Sequence, residues 1–583
     1  MKLGLWIHYF RHIPIRRIMG RVEHAMLNKR IASHPDALIC PKDISRSPFS
    51  SKKLLEFANV YQVLGGRFSE VSGIHEGVFV FKGVSHNYGA LDNVNWDQPF
   101  VDDPSMINWW HDLSFFSFAL PLVDEDPLAG VKTLAQLVQT LEARHPINKK
   151  AGIHFTWSPI ALSLRIMGLS SAVARAKAAG VVSNVPELLA LAKHIAYCAA
   201  ILELTTERYL GYNHHVFGAT ALFVADLAVG EYGFARNDQS EAYFEEALSA
   251  IERHVLEDGF WDERSPSYHI HMLLLARAIA ATKNAKLTQQ ERIDALINRM
   301  CTALDCVVHT DGEIAVFNDS AMEDSVPPED VGWLALGLEQ YYNMLPDAGF
   351  AKLVVGDTSL IFDAGPLGPK DMVGHGHGDF LSVEICWEGE RLIVDPGVSS
   401  ITVGAERVWT RSALTHNGPT MDGFEPADFF GVWRVGRRGQ ASFDTQDVLQ
   451  SPDGTFSISG SCDGYSAVAG LVWRKVSIMP TGHIHIEDKW DAPPNGTARS
   501  AFLVPDTWSV KQNRLGNLAL CSKLSGVSLV IDVKGGAVVS IEPSWWFPKG
   551  PMVPCKATLL ILRPKGKEMA ICFTPDLAGE FGR

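Results

Sequence analysis

The chain changes hydrophobic period partway along its length. From about residue 128 to residue 344, apolar residues recur at helical spacing in VKTLAQLVQTLEAR, SPIALSLRIMGLSSAVARAKAAG, VPELLALAKHIAYCAAILELTTERYL and QERIDALINRMCTALDCVVHT. The pattern predicts about eight helices of roughly 12 to 20 residues, joined by short Gly, Pro, Asn or Asp links. Helices so connected pack antiparallel, as a stack or closed ring of hairpins. After about residue 355 the pattern becomes short alternating or β-branched runs, among them TSLIFDA, FLSVEICW, RLIVD, HIHIEDKW, VSLVIDV and ATLLILR, separated by turn residues. These read as strands of a sandwich. The change of period near residues 345 to 357 divides an all-α half from an all-β half.

Composition narrows the class. A chain of 583 residues exceeds one ordinary core, so two or more domains are expected. The formal charge of −14 opposes generic binding to nucleic acid, which needs a net basic field. Nine cysteines show no zinc-knuckle spacing, which favours reducing surroundings. Arginines interrupt the N-terminal stretch MKLGLWIHYFRHIPIRRIMGRVEHAMLNKRI where a signal peptide needs an unbroken apolar run. No 18-residue uncharged span suggests a transmembrane segment. The expected location is the cytoplasm, with the periplasm as alternative. This basic, apolar-faced stretch is read as a helix docked on the protein, with a membrane surface as the other reading.

Candidate chemistry gathers in three places. In GYNHHVFGATALFVADLAVG, Asn213 is placed at a helix N-cap, with His214 and His215 in the first turn. In ERSPSYHIHMLLLARAIA, Ser265 is the predicted N-cap and Pro266 the first helical residue, which puts Tyr268 in the first turn. In an up-down arrangement both clusters would lie at one end of the helical domain, where free N–H groups favour an anion such as a sugar carboxylate. The third place is GHGHGDFLSVEICWEGERLIVDPG, residues 374–397, with His375 and His377 set among three glycines. A regular hairpin centred on Gly389 puts Asp395 roughly 20 Å along the strand from His377. A metal held by His377, Asp395 and His416 therefore requires the glycine loop to fold back.

Taken in order, INWWHDLSFF, GIHFTWSPIALSLRIM, GYNHHVFGA, DGFWDERSPSYH, DGEIAVFNDS, the 374–397 stretch and TRSALTHNGPTMDGFEPADFFGVWRVGRR resemble the heparinase II/III-like family of polysaccharide lyases. The resemblance implies an (α/α) helical toroid followed by an antiparallel β-sandwich. The implied domains are an N-terminal segment over 1–127 packing on the toroid, a catalytic toroid over 128–350 and the sandwich over 351–583. It also implies site residues: Asn213, His214 and His215 for binding and neutralising a uronate carboxylate, Tyr268 as the acid that protonates the leaving oxygen, and His375 lining the same cleft. His377, Asp395 and His416 match zinc ligands of a mainly structural metal. The implied activity is β-elimination on an acidic, uronate-containing and glycosaminoglycan-like polysaccharide or oligosaccharide, in bacterial polysaccharide metabolism, with an oligomer compatible.

β-Elimination removes the weakly acidic C5 proton, so the adjacent carboxylate must be neutralised while a base takes that proton and an acid protonates O4. A tyrosine titrating near 10 starts as an acid, and histidine is the natural base near neutrality. Relatives commonly carry a tyrosine soon after the VDPG block, whereas this chain reads VDPGVSSITVGAERVW. The base is thereby left among His214, His215 and His375. Trp109, Trp110 and Trp157 offer stacking faces for sugar rings, and Arg264, Arg407, Arg411, Arg434, Arg437 and Arg438 offer forks for carboxylate or sulfate. Two other classes remain open at this point. One is a glycoside hydrolase using carboxylates among Asp262, Glu263 and Asp319; the other is a non-catalytic glycan-binding protein of polysaccharide assembly.

Overall fold

The structure, a computed structural model, describes residues 2–39, 52–61, 69–103, 106–150, 152–182, 185–229, 240–282, 286–323, 325–445, 447–513, 516–576 and 581. It divides into two compact units that do not follow chain order. One comprises residues 13–254 and 271–298; the other comprises 1–12, 255–270 and 299–583.

The first unit is helical. Its long helices include Pro127–Arg144, Pro159–Ala178, Pro186–Thr205, Tyr212–Val229 and Ser240–Glu252. Three of these begin with proline, the residue whose missing N–H costs nothing at a first helical position. Asp126 caps the first by accepting from Leu128 and Ala129 N–H, and Ser158 caps the second by accepting from Ala161 N–H. Of Tyr212–Val229 almost every residue is buried, so this helix has apolar neighbours on all sides. Pro186–Thr205 is long and apolar enough to cross a membrane, yet most of it is buried against its neighbours. A helix Ile15–Ser33, here α2, lies in this unit; the preceding α1, Lys2–Arg11, falls in the other.

The second unit is built on antiparallel sheets. Gln340–Leu345, Phe350–Val355, Thr358–Asp363, Val383–Trp387 and Glu390–Ile393 form a five-stranded meander in sequence order. Across the core lies a nine-stranded sheet whose central strands are Phe456–Cys462, Val472–Ile478, Ile484–Trp490 and Glu568–Pro575. Leu353, Leu360, Phe362 and Ile385 from the meander share one apolar cluster with Ile458, Val476, Ile486 and Ile571. Phe350–Val355 and Thr358–Asp363 are buried at every position, not alternately. The reason is that residues 305–310 cover the second face: Lys352 Nζ donates to Asp305 O at 3.1 Å, and His309 Nδ1 bonds Ser359 Oγ at 2.8 Å. Such coverage erases the polar half of a strand's period. The hairpin Val383–Trp387/Glu390–Ile393 pairs Ile385 with Ile393 and carries a one-residue irregularity beside it. Among the described cysteines all are free thiols.

Candidate active site

Tyr268 owes its place to the start of the helix Pro266–Ala281. Ser265 Oγ accepts from Tyr268 N–H at 3.3 Å, the cap expected from the sequence, with Pro266 as first helical residue. The same hydroxyl donates to Asp319 O at 2.8 Å, and Asn318 Nδ2 donates to Arg264 O at 2.9 Å. Arg264 and Asn318 both adopt left-handed backbone, at φ 56° and 60°. Two crossed loops, 262–268 and 318–320, are thus tied at the helix start. Tyr268 is half-buried there, and its ring lies 4.3 Å from that of His375, centroid to centroid.

Asp319 is the carboxylate on which the surrounding side chains converge. His375 Nδ1–H donates to its Oδ2 at 3.0 Å and His377 Nε2–H to its Oδ1 at 2.9 Å. Arg407 closes a two-pronged ion pair on the same carboxylate, with Nη2 at 2.8 Å from Oδ2. Burial alone would push the Asp319 carboxyl up, but the Arg407 charge and the two imidazole bonds outweigh it and hold the group well below the usual carboxylate range. His375 Nε2, turned away from Asp319, lies 3.5 Å from Glu263 Oε1. Glu263 is buried, its Oε2 accepts from Trp261 Nε1 at 2.7 Å, and Oε1 has no hydrogen-bond partner among the described residues. Trp433 packs edge-on to His375 at 5.4 Å and takes the Arg407 guanidinium over its face at 4.9 Å.

The glycine loop does fold back. Arg407 Nη2 donates to Gly374 O, Arg411 Nε donates to Gly376 O at 3.0 Å, and Gly378 N–H donates to Arg411 O at 3.0 Å. The helix Ala405–Arg411 therefore clamps the loop from one side. Glycine is required by close approach: a Cβ at 376 would meet Leu367 O at 2.1 Å, and one at 378 would meet Ala413 N at 2.7 Å. At the end of this loop Asp379, rather than His377, joins Asp395 and His416, with one ligand atom of each within 4.8 Å of the others. His416 Nδ1 lies 2.7 Å from Asp395 Oδ2. The His377 ring is 5.5 Å from that of His416, and its Nδ1 is buried without a partner among the described residues. Burial pushes the His377 imidazole down to about 3, so Nδ1 keeps a free lone pair. Burial likewise pushes Asp379 up to about 6, with the charge of Asp395 adding to it, and Glu384 up to about 8. The two crowded carboxylates Asp379 and Asp395 and the His416 imidazole form a donor set that suits a divalent metal such as zinc.

The Asn213 group belongs to the helical unit. Its helix starts at Tyr212, so Asn213 stands in the first turn instead of capping it; its Oδ1 accepts from His214 N–H at 2.8 Å. His214 Nδ1 bonds Glu207 Oε2 at 2.7 Å, and His215 Nε2 bonds Glu246 Oε1 at 2.9 Å. Burial pushes Glu246 up, but bonds from His215 and Arg208 prevail and hold it down at about 2. His214 keeps a third of its side chain exposed, whereas Asn213 and His215 are buried. Trp157 is 1% exposed and gives its Nε1–H to His145 O at 2.6 Å, so it offers no face to a sugar. Trp110 is partly exposed, with Nε1–H donated to Trp96 O at 2.6 Å. In the sandwich unit the Arg264 guanidinium is taken up by Asp262, Asp347 O and Ala348 O, which corrects the expectation that it binds substrate: its donors tie two loops together.

Sequence reasoning passed over Asp379 and Trp433, and saw Arg407 as one arginine of six. Asp379 had a signal, as the acid next to GHGHG; Arg407 and Trp433 had none short of three dimensions.

Residues 339–574 match the family model described as Heparinase II/III-like, C-terminal. No curated protein sequence matches the chain. Among solved structures, heparinase III aligns with a TM-score of 0.65 at 13% identity, covering 91% of this chain and 86% of that one. The heparinase III-BT4657 gene product aligns with a TM-score of 0.56 at 16% identity, covering 91% and 85%. A mutant of heparan sulfate lyase HepC from Pedobacter heparinus aligns with a TM-score of 0.55 at 16% identity, covering 96% and 88%. The fold is therefore the predicted one, a helical (α/α) toroid followed by an antiparallel β-sandwich.

Proposed function

From a chain whose residues 339–574 carry a heparinase II/III-like C-terminal domain, we propose a polysaccharide lyase that cleaves an acidic, uronate-containing glycan by β-elimination. The observation that carries this reading is the pairing of Tyr268 with His375, rings 4.3 Å apart, over a single ionised Asp319. A phenol and an imidazole side by side are the acid and base that elimination needs.

In this mechanism the Tyr268 hydroxyl protonates O4 of the leaving sugar. His375 takes the C5 proton at Nε2, while Asp319 holds Nδ1–H and so fixes ring orientation and tautomer, as a carboxylate does for a catalytic histidine. The imidazolium that forms is stabilised by Asp319 and by Glu263 Oε1, 3.5 Å from the accepting nitrogen. Arg407 keeps Asp319 ionised and in place. By family resemblance Asn213, His214 and His215 of the helical unit are assigned to binding a uronate carboxylate. Asp379, Asp395 and His416 would hold a divalent metal such as zinc, which would supply positive charge at the end of the loop that carries His375. Hydrolysis by paired carboxylates is the weaker reading, because Asp319 is spent on Arg407 and two histidines and Asp262 on Arg264.

The test is incubation with a panel of uronate polymers while following the near-UV absorbance of the unsaturated product. Growth of that chromophore, lost in Tyr268→Phe, is expected; chain shortening without it would overturn the proposal.

A further inference from the structure

The N-terminal helix α2 has two faces of opposite character. Its inner face is fixed to the helical unit: Arg17 Nη2 donates to Leu210 O at 2.5 Å, Ile31 and Ala32 are buried, and a Cβ at Gly20 would lie 2.4 Å from Tyr209 Cβ. The outer face is apolar and uncovered. Ile15, Met19, Val22 and Met26 are each at least 55% exposed, with Ile18 beside them at 39%. Their spacing of four, three and four residues places them in one row along the helix. Such a row on a packed helix is not explained by folding, because none of the described residues of the unit buries it.

Charge says what the row is for. Arg16 and Arg30 project along one side and Arg21 and Lys29 along the other, all exposed. Within α2 five Lys and Arg residues face a single acid, Glu23, although the whole chain carries a formal −14. A second copy of this chain fits the face poorly, since an antiparallel α2 pair would set basic rows against basic rows. An apolar ridge flanked on both sides by long cationic side chains matches a bilayer interface, where apolar groups enter the acyl boundary and cations reach back to the headgroups.

We propose that α2 seats this protein on the surface of an anionic lipid bilayer, with Ile15, Met19, Val22 and Met26 inserted and Arg16, Arg21, Lys29 and Arg30 paired with lipid phosphates. The helix lies in the interface plane and spans nothing. This docking is independent of the chemistry at Tyr268.

Co-sedimentation of the full chain with phosphatidylcholine vesicles, with and without about 30% phosphatidylglycerol, tests it. Partitioning at least ~10-fold stronger onto the anionic vesicles is expected, falling several-fold in high salt. Val22→Asp combined with Met26→Asp should lower it ~10-fold or more, with unchanged circular dichroism and thermal midpoint because both positions are exposed. Arg21→Glu combined with Lys29→Glu keeps the apolar row and should weaken only the anionic preference. Equal binding to both vesicle types, or binding untouched by either double substitution, overturns the proposal. So does a wild-type dimer in light scattering that Val22→Asp/Met26→Asp dissociates while no vesicle binding is seen.

Discussion

Two histidine pairs in this molecule, His214–His215 and His375–His377, are built on different plans. In the first, each imidazole has its own carboxylate: Glu207, seven residues away, and Glu246 on the next helix. In the second, both imidazoles converge on one carboxylate, Asp319, more than fifty residues away, and Arg407 from a third segment neutralises it. The first is a helix end dressed with near neighbours, partly in water. The second is a buried charge cluster that exists only if loops 262–268, 318–320 and 374–379 and the helix Ala405–Arg411 all close together. A local pair tolerates loss of a member; a converged one does not, because each removal leaves another charge uncompensated in low dielectric.

The largest expected effect breaks that contrast directly. Arg407→Ala strands a buried carboxylate and should cost ~3–5 kcal/mol in urea unfolding. Tyr268→Phe should cut turnover of a uronate polymer by ~10²–10³-fold while the thermal midpoint stays put, since only a half-buried hydroxyl is removed. A preserved rate in this variant would move the acid elsewhere. Acid should destabilise the sandwich unit through His269, which is stacked on Phe260 and accepts from Trp261 N–H. Burial lowers that imidazole to about 4, so above pH 6.5 it is neutral in both folded and unfolded chains. Between pH 6.5 and 4 only the unfolded chain takes up the proton, and stability falls by up to ~3 kcal/mol. His269→Gln should be less stable at pH 7 yet show a flatter acid limb in denaturant titrations. If zinc sits at Asp379, Asp395 and His416, elemental analysis should find about one per chain, and Asp379→Asn should lower that content with a smaller loss of rate than Tyr268→Phe. The smallest effect sharpens the local side of the comparison: Arg208→Ala, at a partly exposed ion pair with Glu246, should change stability by no more than ~1 kcal/mol.

The helices, the strands and the cap at Ser265 were legible because each depends on residues a few places apart. The Tyr268 and His375 candidates were legible through the order of sequence blocks, not through any spacing. Asp319 was visible only as a carboxylate for a different chemistry, and Trp157 only as an aromatic ring. What misled was position: a tryptophan in the core and one on a surface have the same neighbours in sequence. The hairpin about Gly389 is legible as a hairpin, but the partner of His377 is not, since Asp379 rather than His377 reaches Asp395 and His416.

By itself, the sequence determined the two periods, the cap at Ser265, the glycines that let residues 374–378 turn, and the excess of cations in α2. Those are matters of local sterics and spacing. The tertiary structure alone decided that Asp319 would be the shared partner of His375, His377 and Arg407, and that Arg264 would be spent on Asp262 and two carbonyls. Hydrogen bonds and ion pairs act over about 3 Å, and chain separations of 56 to 88 residues carry no information about which groups come that close.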